Sequence, residues 1–296
     1  MSTPSSSITS LTTADILPLT CTREGTCCHG KTVWLNPWEL ACLAHGRGMT
    51  ARDFRAAHTA HGIRLLFDGP PSFNLAGKLG PACSQYAAGM GCVAHPGRPL
   101  ACRLYPLGRE KSGESVRYVH EGKKFPCLAG CPSVTSLPLV SVGDYLAGQL
   151  VGPGEIAQDT YLEMAQDLAE GAFVVLFDSG LAAQQGPAVL ARWRQVVDLE
   201  LSARIAVIGE AWFDRLTVPD LGDDVAAPVT WIAEHRAQFQ LAAQQAFGRL
   251  RDADTLAEAS VRFFTMALHL VQAVGAASPQ DVGRRWLDAA KSRILK

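Results

Sequence analysis

The position of the cysteines constrains this chain more than any other feature of its sequence. All nine lie within the first 131 of 296 residues, and they are Cys21, Cys27, Cys28, Cys42, Cys83, Cys92, Cys102, Cys127 and Cys131. The rest of the chain holds none, so its two parts have different chemistry. From residue 78 to residue 138 the sequence is also rich in glycine and proline, and such a segment needs a metal or disulfides to hold it together.

Eight of these cysteines fall into three groups that favour metal binding. In the first group, close thiols are separated by glycine and small polar residues, which predicts a tight turn whose sulfurs converge as a metal requires. The second group is spaced by eight and nine residues, and the third follows near residue 130. The predicted metal ligands are Cys21, Cys27 and Cys28, then Cys83, Cys92 and Cys102, and finally Cys127 and Cys131.

Other roles for the cysteines stay open at this point. Cys42 lies among apolar neighbours, which predicts a small buried hydrophobic residue and not a ligand. Buried thiols without a ligand role are the alternative for Cys127 and Cys131. A disulfide framework competes for the whole set, but the odd count and the lack of a signal peptide disfavour it.

Histidines and arginines accompany the cysteines. His29 and His95 are either ligands or histidines with a structural role. Arg98 and Arg103 are either surface charges or cations that lower the pKa of thiols and offset an anionic centre. Residues 1–131 carry 14 Lys and Arg against 8 Asp and Glu, a net charge of +6, whereas residues 132–296 carry 13 against 20, a net charge of −7. Because nearby positive charge favours the thiolate form of cysteine, thiolates are expected in the basic part of the chain.

The patterning predicts an α+β chain in three parts. We expect a disordered Ser/Thr-rich leader over 1–18, a small irregular cysteine-rich metal-binding domain with short strands and helices over 19–150, and an all-helical domain over 151–296. No apolar run approaches the ~20 residues of a membrane helix, and residues 1–20 lack the apolar core of a signal peptide. The sequence therefore predicts a cytoplasmic protein with reduced thiols and no membrane partner.

Several helices can be placed from local signals. Asn36 and Glu39 form a predicted capping box around Pro37, which begins a helix that ends near His45. Apolar residues from Leu190 to Trp212 recur at spacings of three and four, which predicts a helical face with Trp212 in the core. Further helices are predicted over 229–250, 255–275 and 280–294, with Pro187, Pro219 and Pro228 in the gaps between helices.

The cysteine blocks resemble the CxxCxxCC cysteine-cluster family (YkgJ-like), described as a zinc- or iron-chelating domain. Three blocks carry the resemblance: Cys21 to Gly30 with Val33-Trp-Leu-Asn-Pro-Trp-Glu39; Gly91-Cys92 with Arg98-Pro99, Cys102-Arg103 and Tyr105-Pro106; and Cys127 with the Gly-Asp-Tyr-Leu146 stretch. Together they cover about residues 20–150. The resemblance implies iron, held as an iron–sulfur cluster or as iron alone, with zinc as the alternative.

One position departs from the family pattern. The family has a cysteine where this chain has Glu24. Either the carboxylate replaces a thiolate as a ligand, or Glu24 is a bystander. A carboxylate suits zinc or mononuclear iron, whereas iron–sulfur clusters prefer four thiolates. The remaining cysteines suffice for a four-thiolate site without Glu24.

The sequence leaves more than one function open. The cysteine set favours a metal-binding protein that acts in redox chemistry, metal handling or sensing. The resemblance also extends to flagellin lysine N-methylase, which implies a protein-modifying enzyme as the alternative; the chain has no glycine-rich loop for a methyl donor, and its status as an enzyme stays open. An unidentified protein partner is compatible with either function. A nucleic-acid partner is disfavoured, because the spacing lacks paired CxxC motifs and the net charge is −1.

Overall fold

The structure is a computed structural model that describes residues 9–18, 25–74, 77–113, 115–120, 138–222 and 224–294. Within those residues it contains eleven α-helices and several small antiparallel sheets, so the predicted α+β class is confirmed. The chain divides into two compact units. The first, called the cysteine unit, comprises Met1–Val33, Cys42–Thr50 and Leu65–Glu155, and the second, called the helical unit, comprises Trp34–Ala41, Ala51–Arg64 and Ile156–Lys296.

The strands are short, as expected of a segment poor in apolar runs. They are β1 Thr9–Leu11, β2 Ile16–Leu17, β3 Thr59–Ala60, β4 Arg64–Leu65, β5 Phe67–Gly69, β6 Phe73–Asn74, β7 Gly77–Lys78, β8 Ala82–Cys83, β9 Tyr86–Ala87, β10 Gly91–Cys92, β11 Gly108–Ser112, β12 Ser115–His120 and β13 Val140–Ser141. Strands β1, β12 and β11 form a three-stranded antiparallel sheet in that order. Antiparallel pairs also join β2 to β13, β5 to β8, β6 to β7 and β9 to β10.

The disordered leader predicted over residues 1–18 is corrected for residues 9–18. Strand β1 pairs with β12, with Leu11 opposite Tyr118, and strand β2 pairs with β13, with Leu17 opposite Val140. Leu11 and Leu17 also pack against a buried apolar core formed by Leu100, Leu104, Leu107, Val142, Tyr145, Leu146 and Val151. Full burial of such a side chain contributes about 1.5–3 kcal/mol, so these two partly buried leucines offset part of the cost of ordering the segment. Residues 1–8 lie outside the described residues.

The capping box at the start of the first helix is confirmed. Helix α1 runs over Pro37–Gly46 and is followed by α2 over Ala51–His58. The Glu39 amide donates to the Asn36 Oδ1 at 3.0 Å, and the Asn36 amide donates to the Glu39 Oε2 at 3.2 Å. Two backbone donors that the helix itself leaves without partners are thereby satisfied.

The remaining helices follow from residue 100 onwards. They are α3 Leu100–Leu104, α4 Val142–Gly148, α5 Gly152–Phe177, α6 Leu181–Asp198, α7 Leu201–Ile208, α8 Glu210–Thr217, α9 Pro228–Phe247, α10 Ala253–Val274 and α11 Pro279–Ile294. The last three confirm the helices predicted over 229–250, 255–275 and 280–294. None of the described helices is both long and apolar enough to cross a bilayer.

The apolar face from Leu190 to Trp212 belongs to three helices and not to one. The chain leaves helical conformation after Asp198 and again at Gly209, whose φ of 82° lies in the left-handed region. The apolar periodicity of the sequence does not reveal these interruptions of the helix, because the spacing of apolar residues continues across them. Pro187 lies inside α6 and not in a gap; its cost of about 3 kcal/mol is offset by the buried face of that helix, which includes Trp193.

The two tryptophans of this region differ in burial. Trp193 is fully buried and stacks on Phe264, with ring centroids 4.4 Å apart and an interplanar angle of 10°. Trp212 is only half-buried and stacks on Phe247 at 5.0 Å. The prediction that Trp212 is a core residue is therefore corrected, since Trp193 occupies the core.

The helical unit includes two segments from the N-terminal part of the chain. Trp38 donates from Nε1 to the Val225 carbonyl at 3.0 Å, and Arg55 donates to Asp214 at 2.6 Å. From residue 156 onwards the chain belongs to the helical unit, and this limit is close to the predicted boundary at residue 150. The unit also includes 34–41 and 51–64. The division into separate domains at residue 150 stays a prediction.

A buried histidine of the helical unit should make its stability depend on pH. His235 is buried; its Nδ1 lies 2.9 Å from the Tyr161 hydroxyl and its Nε2 2.8 Å from the Arg215 carbonyl oxygen. Burial lowers the pKa of His235 to about 4, despite the opposing hydrogen bond to the Arg215 carbonyl. Between that value and the ordinary pKa near 6.5 the unfolded chain binds more protons, so stability is present above about pH 6.5 and is lost as the pH falls.

We expect His235 to take up about one proton on unfolding near pH 5, which makes the free energy of unfolding rise with pH in that range. The slope is measured by urea unfolding between pH 4.5 and 8. The His235→Gln variant should lose it, because the amide can replace both hydrogen bonds but does not titrate. Equal slopes in the two proteins would contradict the assignment.

Candidate metal centre

Five cysteines line a single cavity of about 240 Å³ in the cysteine unit. They are Cys27, Cys28, Cys83, Cys92 and Cys102, all of them predicted ligands. Cys21, Cys127 and Cys131, the other three predicted ligands, lie outside the described residues, as does Glu24. Cys42 does not line the cavity, but it is half-buried and not fully buried as predicted.

The first pair of thiols is placed by a tight turn after Gly25. Gly25 has a φ of 76°, and a Cβ at this position would overlap the ring of Tyr86, so the turn requires glycine. A 3₁₀ turn over Thr26–Cys28 follows, in which the Cys28 amide donates to the Gly25 carbonyl at 2.8 Å. Both Cys27 and Cys28 line the cavity from this turn.

Two strand pairs and a short helix supply the other thiols. Cys83 on β8 lies opposite Phe67 of β5, and Cys92 on β10 lies opposite Tyr86 of β9. Cys102 stands in the middle of helix α3, which is anchored by the buried side chains of Leu100 and Leu104. Four separate stretches of the chain therefore meet at one cavity, and each is held by backbone pairing or by apolar burial.

The walls of the cavity combine apolar side chains with two cations. Val33, Leu43, Leu65, Phe67 and Ala101 contribute apolar surface. Lys31 and Arg98 line the same space, and the Lys31 Nζ lies 4.8 Å from the centre of the Tyr105 ring. An apolar cavity with a few fixed polar groups is typical of sites that hold a small molecule or a cofactor.

Arg98 and Arg103 have different roles, which the sequence alone left open. Arg98 lines the cavity, and its guanidinium donates to the His95 carbonyl at 3.2 Å and to the Gln149 Oε1 at 3.0 Å. Arg103 instead donates to backbone carbonyls, those of Arg98 at 2.8 Å, Gln149 at 2.9 Å and Pro96. Arg103 thus braces the loop that carries Arg98. Gln149, which the sequence analysis missed, serves both arginines.

Four of the cavity thiols have a raised pKa and therefore resist ionisation. A hydrogen bond with the Cys28 side chain, together with burial, raises the pKa of Cys27 well above its ordinary value. Burial raises the pKa of Cys83 to about 11 and also raises the pKa of Cys92. For Cys102, burial raises the pKa, and the neighbouring thiols Cys83, Cys27 and Cys92 add to it.

These effects also show that the cavity thiols interact electrostatically. Arg98 opposes the rise in pKa at Cys27, Cys92 and Cys102, so its positive charge acts on three of the five thiols. A metal cation would act in the same direction and more strongly, since metal binding displaces protons from cysteine ligands.

The two histidines near the cysteines have different positions. The Nδ1 of His29 lies 2.9 Å from the Gly25 carbonyl oxygen, and its Nε2 lies 2.9 Å from the Ser72 hydroxyl. Both ring nitrogens are occupied, so His29 holds the turn in shape and is not available as a ligand in this conformation. His95 lines the cavity.

The five thiols line the walls of one cavity. None of them takes part in a disulfide. Among the residues that the structure describes, no group of three or more histidine, cysteine, aspartate or glutamate side chains is arranged to hold a single metal ion.

Gly97 is a residue of the site that the sequence analysis missed. It is buried in the loop before Arg98, and a Cβ at this position would overlap the carbonyl group of Cys42. Close approach of two backbones leaves no room for a side chain. The contact fixes the loop that carries His95 and Arg98 against the neighbouring segment of α1 within the cysteine unit.

Replacing Gly97 should therefore disturb this unit. We expect Gly97→Ala to lower the free energy of unfolding by about 1–3 kcal/mol, as other overpacked sites do. Thermal unfolding checks this, with Gly148→Ala as the matched control, because a Cβ on Gly148 meets no atom within 4 Å. A Gly97→Ala protein that unfolds at the same temperature as Gly148→Ala would contradict the role of this contact.

Comparison with known proteins identifies no relative of this chain. No protein-family model matches this chain, and no curated protein or solved structure is significantly similar to it. The resemblance to the cysteine-cluster family therefore stays a prediction from the cysteine blocks. The class that the fold defines is an α+β chain with a thiol-lined cavity in one of its two units.

Proposed function

We propose that this chain is a metal-binding protein that holds an iron–sulfur cluster through the cysteines of the cavity, for a role in redox chemistry, metal handling or sensing. The observation that carries the proposal is the presence of five thiols around one space of about 240 Å³. In a cytoplasm, where thiols stay reduced, such a concentration of thiols indicates metal chemistry and not disulfides.

The shape of the site favours a cluster over a single ion. A mononuclear zinc site closes tightly around the metal and leaves no cavity between its ligands. An iron–sulfur cluster brings its own inorganic sulfides, so its cysteine ligands stand apart around a volume. Five thiols around a space of about 240 Å³ fit the second case, and zinc remains the alternative if some of them close together on a single ion.

The donor set also suits a cluster. Four thiolates are required, and Cys27, Cys83 and Cys92 line the same cavity as Cys102 and each raise its pKa. Cys28, beside Cys27, provides a fifth thiol. When bound, a cluster of this kind supplies one-electron transfer; the residues of this chain supply the thiolates, exclude water with apolar walls and offset negative charge with Arg98 and Lys31.

The resemblance to the CxxCxxCC family supports the same proposal, since that family is described as zinc- or iron-chelating. A protein-modifying activity, the alternative drawn from flagellin lysine N-methylase, has the resemblance as its sole basis. We therefore propose metal binding as the function and leave the partner of the protein unassigned.

Spectroscopy of anaerobically purified protein tests the proposal. We expect visible absorption that dithionite bleaches, together with an electron paramagnetic resonance signal in the oxidised or reduced state. A colourless protein that shows neither feature after reconstitution with iron and sulfide would refute the cluster assignment.

The charge of Arg98 should tune such a cluster. A fixed cation stabilises the reduced, more negative state, and the net charge around a cluster is one determinant of its potential. We expect Arg98→Gln to lower the reduction potential by roughly 50–100 mV, which corresponds to a unit charge within about 10–15 Å in a protein interior. Potentiometric titration measures the shift, and Arg98→Lys, which keeps the charge, is the matched control. An intact cluster with an unchanged potential in Arg98→Gln would contradict this role.

A further inference from the structure

A buried arginine lies in the interior of the helical unit, far along the chain from any cysteine. Arg204, on helix α7, is 1% exposed. Its Nη2 donates to the Val197 carbonyl at 3.2 Å. Within the described part of the chain, its Nε and Nη1 have no hydrogen-bond partner. A full positive charge is thus enclosed with two of its three nitrogens unsatisfied.

A second buried polar group accompanies this arginine. His269, on helix α10, is fully buried, and neither of its ring nitrogens has a hydrogen-bond partner among the described residues. The edge of its ring meets Phe213, with centroids 5.4 Å apart. Helices α7 and α10, which carry Arg204 and His269, pack against each other, and Val197, the hydrogen-bond partner of Arg204, and Leu268, next to His269, both lie against Gly283. The two side chains therefore share one interior region. Burial lowers the pKa of His269 to about 3, and Arg204 and His61 add to that shift.

No carboxylate compensates this buried charge among the residues that the structure describes. Glu200 and Asp198 are the acidic residues whose charges act on Arg204. Both are exposed, and Asp198 lies 4.0 Å from Arg284 on the surface. A buried charge without a partner is among the most costly features of a protein interior. The described residues of the helical unit therefore place no buried negative group beside Arg204.

We propose that Arg204 and His269 form a binding site for a small monovalent anion, of the size and charge of chloride or of a carboxylate group. Such an anion would accept hydrogen bonds from the free guanidinium nitrogens and from one imidazole nitrogen. It would also neutralise the buried charge, which a water molecule cannot do. The site shares no residue with the thiol-lined cavity, so the anion proposal can be tested independently of the proposed cluster.

Thermal unfolding of the full-length protein tests the site with three sodium salts at equal ionic strength. Gluconate, whose anion is too large for a buried position, provides the reference. We expect chloride to raise the melting temperature of the wild type saturably, by roughly 2–4 °C over gluconate. A similar rise in acetate would extend the site to carboxylates, whereas a rise in chloride alone would restrict it to halides. Equal melting temperatures in all three salts would overturn the proposal.

Two variants separate this site from general salt effects. Arg204→Met keeps the length of the side chain and removes the charge, so its melting temperature should no longer depend on the anion. Arg284→Met removes an exposed arginine of the same unit and should keep the full chloride response. A chloride response that survives in Arg204→Met would refute the assignment.

Crystals of the wild-type protein soaked in bromide give a test that requires no variant to fold. The proposal predicts an anomalous scattering peak within hydrogen-bonding distance of the Arg204 guanidinium. The absence of a peak at that position, whatever binds on the surface, would overturn the proposal.

Discussion

In the Cys102→Ser variant, bound iron is expected to fall at least about tenfold below the wild-type content. Cys102 lines the cavity from the middle of α3, whose flanking side chains Leu100 and Leu104 are buried and leave it little freedom to move. A serine hydroxyl is a poor substitute for a thiolate on iron. Cys27→Ser, in the turn after Gly25, is expected to show the same loss. Iron and sulfide analysis after anaerobic purification measures both variants.

Cys42→Ser is the matched control for this experiment. Cys42 lies in helix α1 and does not line the cavity, so its replacement should leave the metal content unchanged. The assignment of the site would be wrong if Cys102→Ser and Cys27→Ser both kept the full metal content. It would also be wrong if Cys42→Ser lost as much metal as they did.

The largest effect on stability is expected for Trp193→Ala. Trp193 is fully buried on α6, stacks on Phe264 and contacts Phe173 at a centroid distance of 5.4 Å. Its removal leaves a cavity at the centre of the helical unit, which typically costs about 3–5 kcal/mol. Urea unfolding followed by helical circular dichroism measures the loss.

Trp212→Ala provides the comparison. Trp212 is half-buried, so part of the vacated space is open to water and the loss should be clearly smaller than that of Trp193→Ala. Equal losses in the two variants, or a loss below about 1 kcal/mol for Trp193→Ala, would contradict the placement of the core.

Features with local signals could be predicted from the sequence. The capping box of Asn36 and Glu39 needs only four consecutive residues, and it appears as expected. Helices α9, α10 and α11 are bounded by proline, aspartate and glycine signals, and their predicted limits were close. The α+β class follows from the same contrast between a cysteine-rich part and a periodic part.

Features that depend on distant residues could not be predicted. Leu11 and Leu17 are ordered by a core whose members lie at residues 100–151, which nothing in the leader itself indicates. Trp193 and Trp212 have the same helical spacing, and only the three-dimensional packing distinguishes them.

The candidate site shows the same division. Residue type and spacing identified the thiols that line the cavity, because few other uses explain so many cysteines. The sequence does not distinguish Arg98 from Arg103, since both follow the same motif and only their hydrogen-bond partners differ. Gly97 and Gln149 act through contacts with segments remote in the chain, and no local signal marks them.

The most direct test of the central claim is a quantitative analysis of iron, zinc and acid-labile sulfide in the anaerobically purified wild-type protein. The proposed site predicts iron and sulfide in equimolar amounts, with little zinc. One zinc ion per chain without sulfide, or no metal at all after purification and after reconstitution, would contradict an iron–sulfur cluster in the thiol-lined cavity.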